Sequence, residues 1–415
     1  MAKWLFVQPS SFHAWEALGI GYLISSLKAQ GETDIQFMSG FFDSDEDIVA
    51  AGNRADIVGF GCTSPQIKHA TQLASKIKAH TVFGGVHPSV LPEETLEVAN
   101  QVVVGEGERA IVEIARGNRE PIVRCMNIED LDGIPPPDRR TIKQERNIQT
   151  AKSDSGERMG SLFSSRGCPY DCTFCASKGL WTRKVRFRSA ENIYEEFAKI
   201  TKDLRLDFTK FSDDTFTLRR ELVEEFCRLK MKARDKTPWG ANVRVNNVDM
   251  RLFRLLRKAG CREVWMGVES GDPAILKEMK KGITVEQVRK AFSAARTVGI
   301  KTRAYMLIGV PSETKQTIRR SQELVDVLRP DCVGWTLLAP YPGSHYYDPE
   351  KHRDVDWSRV DEYENDLISS GALTNEQLKS EQARLVERYS STATFRQRQL
   401  RKRPTPRFYV PPGGL

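Results

Sequence analysis

Three cysteines, Cys168, Cys172 and Cys175, stand in the stretch SSRGCPYDCTFCASKG at 164–179 with the spacing C-x3-C-x2-C. Three sulfurs in one short loop suit a disulfide fragment, a metal ion or a cluster. A structural zinc ion wants four closed ligands. The next candidates are far off, at Cys227, His87 and His345. Three thiolates on a 4Fe–4S cluster leave one iron open for a substrate-like ligand. The chain has eight cysteines, thinly spread outside this group. Metal or catalytic use is therefore expected, not a disulfide framework. Gly167 and Pro169 shape the loop, and Phe174 places an aromatic ring beside the third cysteine.

The elements that must hold this loop show in the hydrophobic pattern. Over the first 115 residues, short apolar runs such as KWLFVQP, DIVGFGCT, HTVFGGV and QVVVGEGE alternate with helical spacings. Such runs predict parallel strands covered on both faces, hence a doubly wound, flavodoxin- or Rossmann-like sheet. Ligands of these sheets sit beyond the strand carboxyl ends. The loops there are small and Gly-rich: GCTSP at 61–65, GGVHPS at 84–89 and GEGE at 105–108. Backbone approaches a large flat or anionic ligand closely at such loops, though tight strand-to-helix turns also need Gly.

The stretch DLDGIPPPDRR at 130–140 is extended by its three prolines. A second alternation follows, with strands in GSLFSSRG, DFTKFSDD, WGANVRV, EVWMGVES, KTRAYMLIG and DCVGWTLLAP. Six strand–helix units predict a partial (β/α)6 barrel with its active face at the strand C-termini. The expected organisation is an α/β domain over 1–125, a Pro-rich linker over 126–155, the barrel over 156–345 and a basic helical tail over 346–415. The polar clusters fall at barrel strand ends: the cysteine loop, Asp213–Asp214, Arg244, Glu269–Ser270 and the GVPSE turn at 309–313.

At these residues the sequence resembles the radical S-adenosylmethionine (SAM) superfamily, whose C-x3-C-x-aromatic-C loop ends the first barrel strand. The resemblance implies that Cys168, Cys172 and Cys175 bind a 4Fe–4S cluster and that SAM chelates the open iron. An electron from the cluster would then cleave SAM to a 5′-deoxyadenosyl radical. Phe174 would lie near the adenine. FSDDTF at 211–216 resembles the second-strand element that meets the SAM amino group, with Asp213 and Asp214 where many members have Gly-Gly-Glu. Arg244 would neutralise the SAM carboxylate, and Glu269, followed by Ser270, would hold the ribose hydroxyls. LIGVPSET at 307–314, with Gly309, resembles the segment that packs against adenine.

The first half resembles the cobalamin-binding domain that precedes the barrel in one large radical SAM class. LGIGYLISSLK, VGFGCTS, GGVHPS, VVVGEGE and DLDGIPPPDR carry that likeness, and the whole resemblance spans roughly 1–345. It implies cobalamin held along Cys62, Thr63, Ser64, Gly84, Gly85, His87, Gly105 and Glu106. The mutase-type D-x-H-x-x-G loop is absent, since PSSFHAWEALG follows the first strand. His13 is therefore expected to be a surface or packing residue, leaving cobalt without a protein histidine. His87 would touch the cofactor tail or cap the following turn.

The resemblance points first to a methyltransferase acting on an unactivated carbon or phosphinate of a small molecule. A radical cyclase or rearrangement enzyme with the same cofactors is the nearest alternative. A methylthiotransferase would want three further cysteines in the first half, where only Cys62 and Cys125 occur. A non-enzymatic cobalamin or cluster sensor would need a recognisable partner-binding segment. The cluster needs an electron donor such as flavodoxin or ferredoxin. Net charge is +8, concentrated in RKVRFR at 183–188 and FRQRQLRKRPTPRFY near the C-terminus. A solvated or packed basic arm explains this better than nucleic-acid binding. No apolar run reaches the roughly 18 residues of a membrane span, and no secretory signal opens the chain, so a cytoplasmic location is expected. Tyr305, Trp335 and Tyr341 are substrate-contact candidates by position, with core packing as the alternative reading.

Overall fold

The computed structural model describes residues 2–10, 14–125 and 127–389. His13 and the basic stretch from 395 onward lie outside the described residues.

The run WLFVQ forms β1 (Trp4–Gln8). Its side chains alternate between two cores, Trp4 and Phe6 in one, Leu5 and Val7 in the other. A strand buried on both faces needs that unbroken apolar composition. With β2 (Ile35–Ser39), β3 (Ile57–Gly61), β4 (His80–Gly84), β5 (Gln101–Val104) and β6 (Ile122–Arg124) it makes a six-stranded parallel sheet, in the order β2-β1-β3-β4-β5-β6. Strand β6 has only three residues, too short for its pattern to stand out in the sequence. Helices Leu18–Lys28 and Gly107–Ala115 cover one face, and Asp45–Gly52 and Ile67–Ala74 the other. The strand order reverses at β1 and β3, the switch point where such sheets open a crevice.

Within the expected linker, residues 145–155 form a helix whose Ile148 is buried in the next core. The expected first barrel strand is two pieces, β7 (Met159–Leu162) and the short β8 (Ser165–Arg166), which pairs antiparallel with β9 (Arg186–Phe187). Strands β10 (Phe208–Phe211), β11 (Trp239–Val243), β12 (Cys261–Glu269), β13 (Lys301–Ile308) and β14 (Cys332–Leu337) join β7 in a second parallel sheet, ordered β14-β13-β12-β11-β10-β7. Sequential order with a helix after each strand is the open (β/α)6 barrel the sequence predicts. The edge strand β14 is covered by later chain: the Leu337 N–H donates to the Glu362 carbonyl at 2.6 Å, and helix Asn375–Arg388 lies against it through Gln382. Covering an edge this way blocks pairing with other chains. Among the described residues, no helix is long and apolar enough to cross a membrane.

Candidate active site

The β8–β9 ribbon closes the base of the loop that carries the three cysteines. Gly167 has φ +100°, and a Cβ there would run into the Lys184 carbonyl, so the entry to the loop demands glycine. The Thr173 N–H donates to the Met279 carbonyl at 3.0 Å, and the His345 N–H to the Thr173 carbonyl at 2.8 Å, fastening the loop to the barrel rim. Cys172 is buried, Cys168 and Cys175 partly so. Burial pushes the Cys175 thiol up to about 11, against the Ser177 N–H, which donates to its sulfur at 3.4 Å. Burial raises Cys168 as well. Thiols held up in this way ionise only when a cation binds them, which suits metal ligands better than free nucleophiles. Among the described residues no three Cys, His, Asp or Glu side chains converge on one ion. A cubane cluster, with one thiolate on each of three irons, does not ask for that convergence.

The barrel strand ends surround the loop with unequal roles. Asp213 is buried and occupied by the chain: it accepts from the Ser164 N–H (3.1 Å), the Ser164 hydroxyl (2.8 Å) and the Ser165 hydroxyl (2.5 Å). It ties the β7–β8 turn to the end of β10. Asp214 is the exposed carboxylate of the pair and accepts from the Ser177 hydroxyl at 2.7 Å. Arg244 is 5% exposed, and its buried Nε and Nη2 have no hydrogen-bond partner. Its guanidinium lies 3.6 Å from the centre of the Tyr170 ring, and the Tyr170 hydroxyl donates to Asn247 at 3.1 Å. A buried cation with idle donors is costly unless an anion arrives to complete it.

Glu269 sits at φ +63°, at a bulge in the β12–β13 pairing. Its carboxylate takes Lys281 Nζ at 2.7 Å. A Cβ on Gly267 would lie 2.7 Å from that Nζ and in contact with the carboxylate, so bulge and glycine together make room for the pair. Lys281 is also 5.6 Å from the Phe174 ring centre, which brings Phe174 and Glu269 to one place. Ser270 is buried in a different task, sharing a hydroxyl hydrogen bond with Ser321 (3.1 Å) and accepting from the Asp272 N–H (3.1 Å). Gly309, at φ +103°, has Ile368 of the C-terminal segment 2.9 Å from where a Cβ would be.

A cavity of about 580 Å³ lies between the carboxyl ends of β1, β3, β4 and β5 and the cysteine-loop region, which contributes Phe163, Arg166, Leu180 and Trp181 to its wall. Seven glycines line it: Gly19, Gly59, Gly61, Gly84, Gly85, Gly105 and Gly107. Missing side chains there leave bare backbone and a broad apolar hollow, suited to a large flat ligand. Of the residues expected at this place, Cys62, Thr63, Gly84, Gly85, Gly105 and Glu106 line the hollow, and Ser64 and His87 are not in its wall.

Residues 162–325 match the family model "Radical SAM superfamily", and residues 10–115 match "B12 binding domain". The chain is a radical SAM protein with a B12 domain. Among relatives, it is 28% identical to the anaerobic magnesium-protoporphyrin IX monomethyl ester cyclase of Rubrivivax gelatinosus, over 83% of this chain and 69% of that one. It is 24% identical to the bacteriochlorophyllide d C-12(1)-methyltransferase of Chlorobaculum tepidum, over 87% and 81%. The fold is that of the radical SAM methyltransferase TsrM from Kitasatospora setae, solved with cobalamin and a [4Fe-4S] cluster bound: TM-score 0.68, 18% identity, 83% of this chain and 74% of that chain.

A radical SAM domain works with a 4Fe–4S cluster and SAM, and the B12 domain adds cobalamin. The residues present fit these groups. The idle Arg244 donors lie at the barrel mouth beside Tyr170 of the cysteine loop, and the glycine-lined hollow of the B12 domain opens toward the same loop. Sequence alone does not single out Tyr170, Lys281 or Trp181, because each acts through a partner distant in the chain. It also marks RKVRFR only as charge. In the fold, Arg186 and Arg166 are buried against Glu106 of the B12 domain, and Arg166 also pairs with Glu108 at 2.5 Å. Glu106 further accepts from the Ile128 N–H at 2.8 Å. Glu106 thus joins the two halves as well as lining the hollow. Trp335 is fully buried and stacks on Tyr389, and Tyr341 packs near Trp357. Tyr305 faces the barrel interior, half-buried.

His87 is buried, with Nδ1 3.0 Å from the Ser64 hydroxyl, and burial lowers its pKa from 6.5 to about 4. The unfolded chain therefore binds the extra proton first, and stability falls as pH drops below about 6.5 toward 4. From pH 7 to pH 5 the B12 domain is expected to lose about 2 kcal/mol through this residue. Denaturant unfolding at both pH values checks it: His87→Gln should remove that part of the acid sensitivity.

Proposed function

We propose that this chain is a cobalamin-dependent radical SAM methyltransferase acting on an unactivated carbon or phosphinate of a small molecule. One observation carries the reading. The hollow of the B12 domain is walled on its far side by Phe163, Arg166, Leu180 and Trp181, which flank the cysteine loop in the chain, so the two candidate cofactor sites are neighbours. When bound, the cluster and SAM supply a carbon-centred radical and cobalamin supplies the methyl group. In this reading Cys168, Cys172 and Cys175 hold the cluster. Arg244, stacked on Tyr170, receives the SAM carboxylate, and the Glu269–Lys281 pair with Phe174 receives the ribose and adenine side. Asp214 is the carboxylate placed for the SAM amino group, while Asp213 holds the strand turn beneath it. Phe163, Leu180 and Trp181 close the hollow with apolar surface and keep water from it. The electron comes from a flavodoxin- or ferredoxin-type donor, in the cytoplasm.

Replacing Arg244 with Ala removes a charge-assisted contact worth about 1.5–3 kcal/mol, so SAM should bind roughly 10- to 150-fold more weakly. Equilibrium dialysis of labelled SAM into the reconstituted protein measures it. An unchanged affinity would remove Arg244 from the site.

The whole reading is tested by anaerobic reconstitution with iron, sulfide and hydroxocobalamin, followed by metal counts and product analysis. Four irons and one cobalt per chain, with 5′-deoxyadenosine and S-adenosylhomocysteine formed together, support methyl transfer. Four irons without cobalt would sink it. The similarity to a cyclase favours one second reading, a cyclisation with the same cofactors. It would give 5′-deoxyadenosine without S-adenosylhomocysteine.

A further inference from the structure

Both ends of the cysteine loop reach the wall of the B12 hollow. Arg166, just ahead of Cys168, and Trp181, a short way past Cys175, line it together. The Arg166 guanidinium lies 5.4 Å from the centre of the Trp181 ring. On its other side it lies 5.1 Å from the ring of Tyr22, on the helix Leu18–Lys28 of the B12 domain. It also pairs with Glu108 at 2.5 Å and Glu106 at 3.5 Å, at the start of the helix Gly107–Ala115. Arg186 on β9 joins the same Glu106. Two buried cations thus meet two buried carboxylates, and the pairing asks for no further charge. It bolts the entry of the loop to the B12 domain.

The exit of the loop is held less firmly. Trp181 ends a one-turn helix, Lys178–Trp181, in which no residue is buried. Thr182 follows at φ +60°, ψ −171°, a region that residues with side chains rarely occupy. Such a conformation persists only where the surroundings impose it. Here the Asn127 side chain donates to the Thr182 hydroxyl at 3.0 Å, and the Trp181 ring rests on Arg166. Relaxing Thr182 would turn the chain at Trp181 and take the indole out of the wall. A flat ligand in the hollow covers Leu180 and Trp181 only with the loop in the present arrangement. A ligand that touches one arrangement and not the other shifts the balance between them. Ligation of Cys168, Cys172 and Cys175 fixes the same loop from the barrel side.

We propose that Arg166 and Trp181 are positioning residues that link the two cofactor sites. Cobalamin in the hollow strengthens the hold of the cysteine loop on its cluster, and the cluster tightens the binding of cobalamin in return. The linkage rests on the cofactor set of the proposed function and goes beyond it, since sites that are merely neighbours fill independently. The loop side of the wall carries the coupling. Leu23 lines the hollow from the B12 side, packed on Gly107, and takes no part in it.

The test is anaerobic equilibrium dialysis of hydroxocobalamin into the full chain, with its cluster reconstituted and with the cluster stripped. Wild type should bind at least about 5-fold more tightly with the cluster, the lower end of ordinary coupling between sites. Trp181→Ala should bring that ratio close to one. Leu23→Ala removes wall on the B12 side, so it should weaken binding in both forms and keep the wild-type ratio. A merely structural Trp181 would behave as Leu23 does. Arg166→Lys keeps a charge for Glu106 and Glu108 but loses the flat face against Trp181. It should also lower the ratio, and it stands in if Trp181→Ala fails to take up iron. In the other direction, cobalamin should slow the loss of iron to ferrozine several-fold in wild type and not in Trp181→Ala. A wild-type ratio of one, or a ratio that both variants leave intact, would overturn the linkage alone. Failure of either form to bind cobalamin would overturn it together with the proposed function.

Discussion

Cys172→Ala is expected to reduce 5′-deoxyadenosine formation by at least about 10³-fold, equivalent to roughly 4 kcal/mol or more of lost transition-state stabilisation. Cys172 is the most buried of the three loop cysteines, with 8% exposure. It is the middle ligand of the proposed cluster, and its neighbour Thr173 pins the loop to Met279 and His345. Alanine keeps those backbone contacts and removes only the sulfur. The fold should therefore survive while the cluster does not, giving a chain that still binds cobalamin but has lost most of its iron. Iron and cobalt counts on one reconstituted sample separate these effects. Cys227→Ala is the control, since Cys227 is buried in the barrel core away from the loop. It should cost packing free energy and leave the iron content unchanged. A Cys172→Ala protein with full iron and full SAM cleavage would remove the cysteine loop from the mechanism.

Gly85→Ala should produce the opposite pattern, full iron with little cobalt. Gly85 follows β4 at φ +106°, ψ −171°, a region that side-chain-bearing residues essentially avoid. A Cβ there would meet the Cys62 carbonyl oxygen at 2.5 Å and the Cys62 nitrogen at 2.9 Å. Both atoms are backbone and cannot swing aside. The two loops that floor the hollow would have to part, at a cost of about 2–4 kcal/mol from strain and lost contacts. Gly117→Ala is the matched control: it shares the positive φ, at +102°, but its Cβ would meet nothing within 4 Å, and it lies outside the hollow's wall. Thermal unfolding and the cobalt-to-iron ratio of the two variants, side by side, decide whether this backbone approach builds the cobalamin site. Equal ratios would show that it does not.

The two controls mark where sequence reading succeeds and where it stops. A C-x3-C-x2-C loop is local, so it is legible from spacing as a candidate metal or cluster site. The apolar runs of β1, β3 and β4 are local too, and burial on both faces follows from their composition. The barrel strands also stand where their patterns place them, with Asp213, Arg244 and Glu269 at the strand ends. What those ends do is less legible. Asp213 and Asp214 are adjacent and chemically alike. One is enclosed by Ser164 and Ser165, and the other is exposed beside Ser177. Ser270 looks like a ligand residue beside Glu269 and caps the chain that follows. His87 sits in a Gly-rich loop at the cofactor edge, and its ring is buried against the Ser64 hydroxyl.

The sequence by itself determined the two α/β units, their order and the cysteine loop, because these depend on periodicity and on residues within one turn or strand, and the set of cofactors followed from the family its motifs resemble. Only the tertiary structure decided which candidates are free to act. Arg244 keeps idle Nε and Nη2 donors with Tyr170 stacked on its guanidinium, and Glu106 is taken by Arg166 and Arg186 from the far side of a domain junction. Whether a charged group finds its partner inside the protein or waits for a ligand depends on contacts distant in the chain, and no local pattern encodes them.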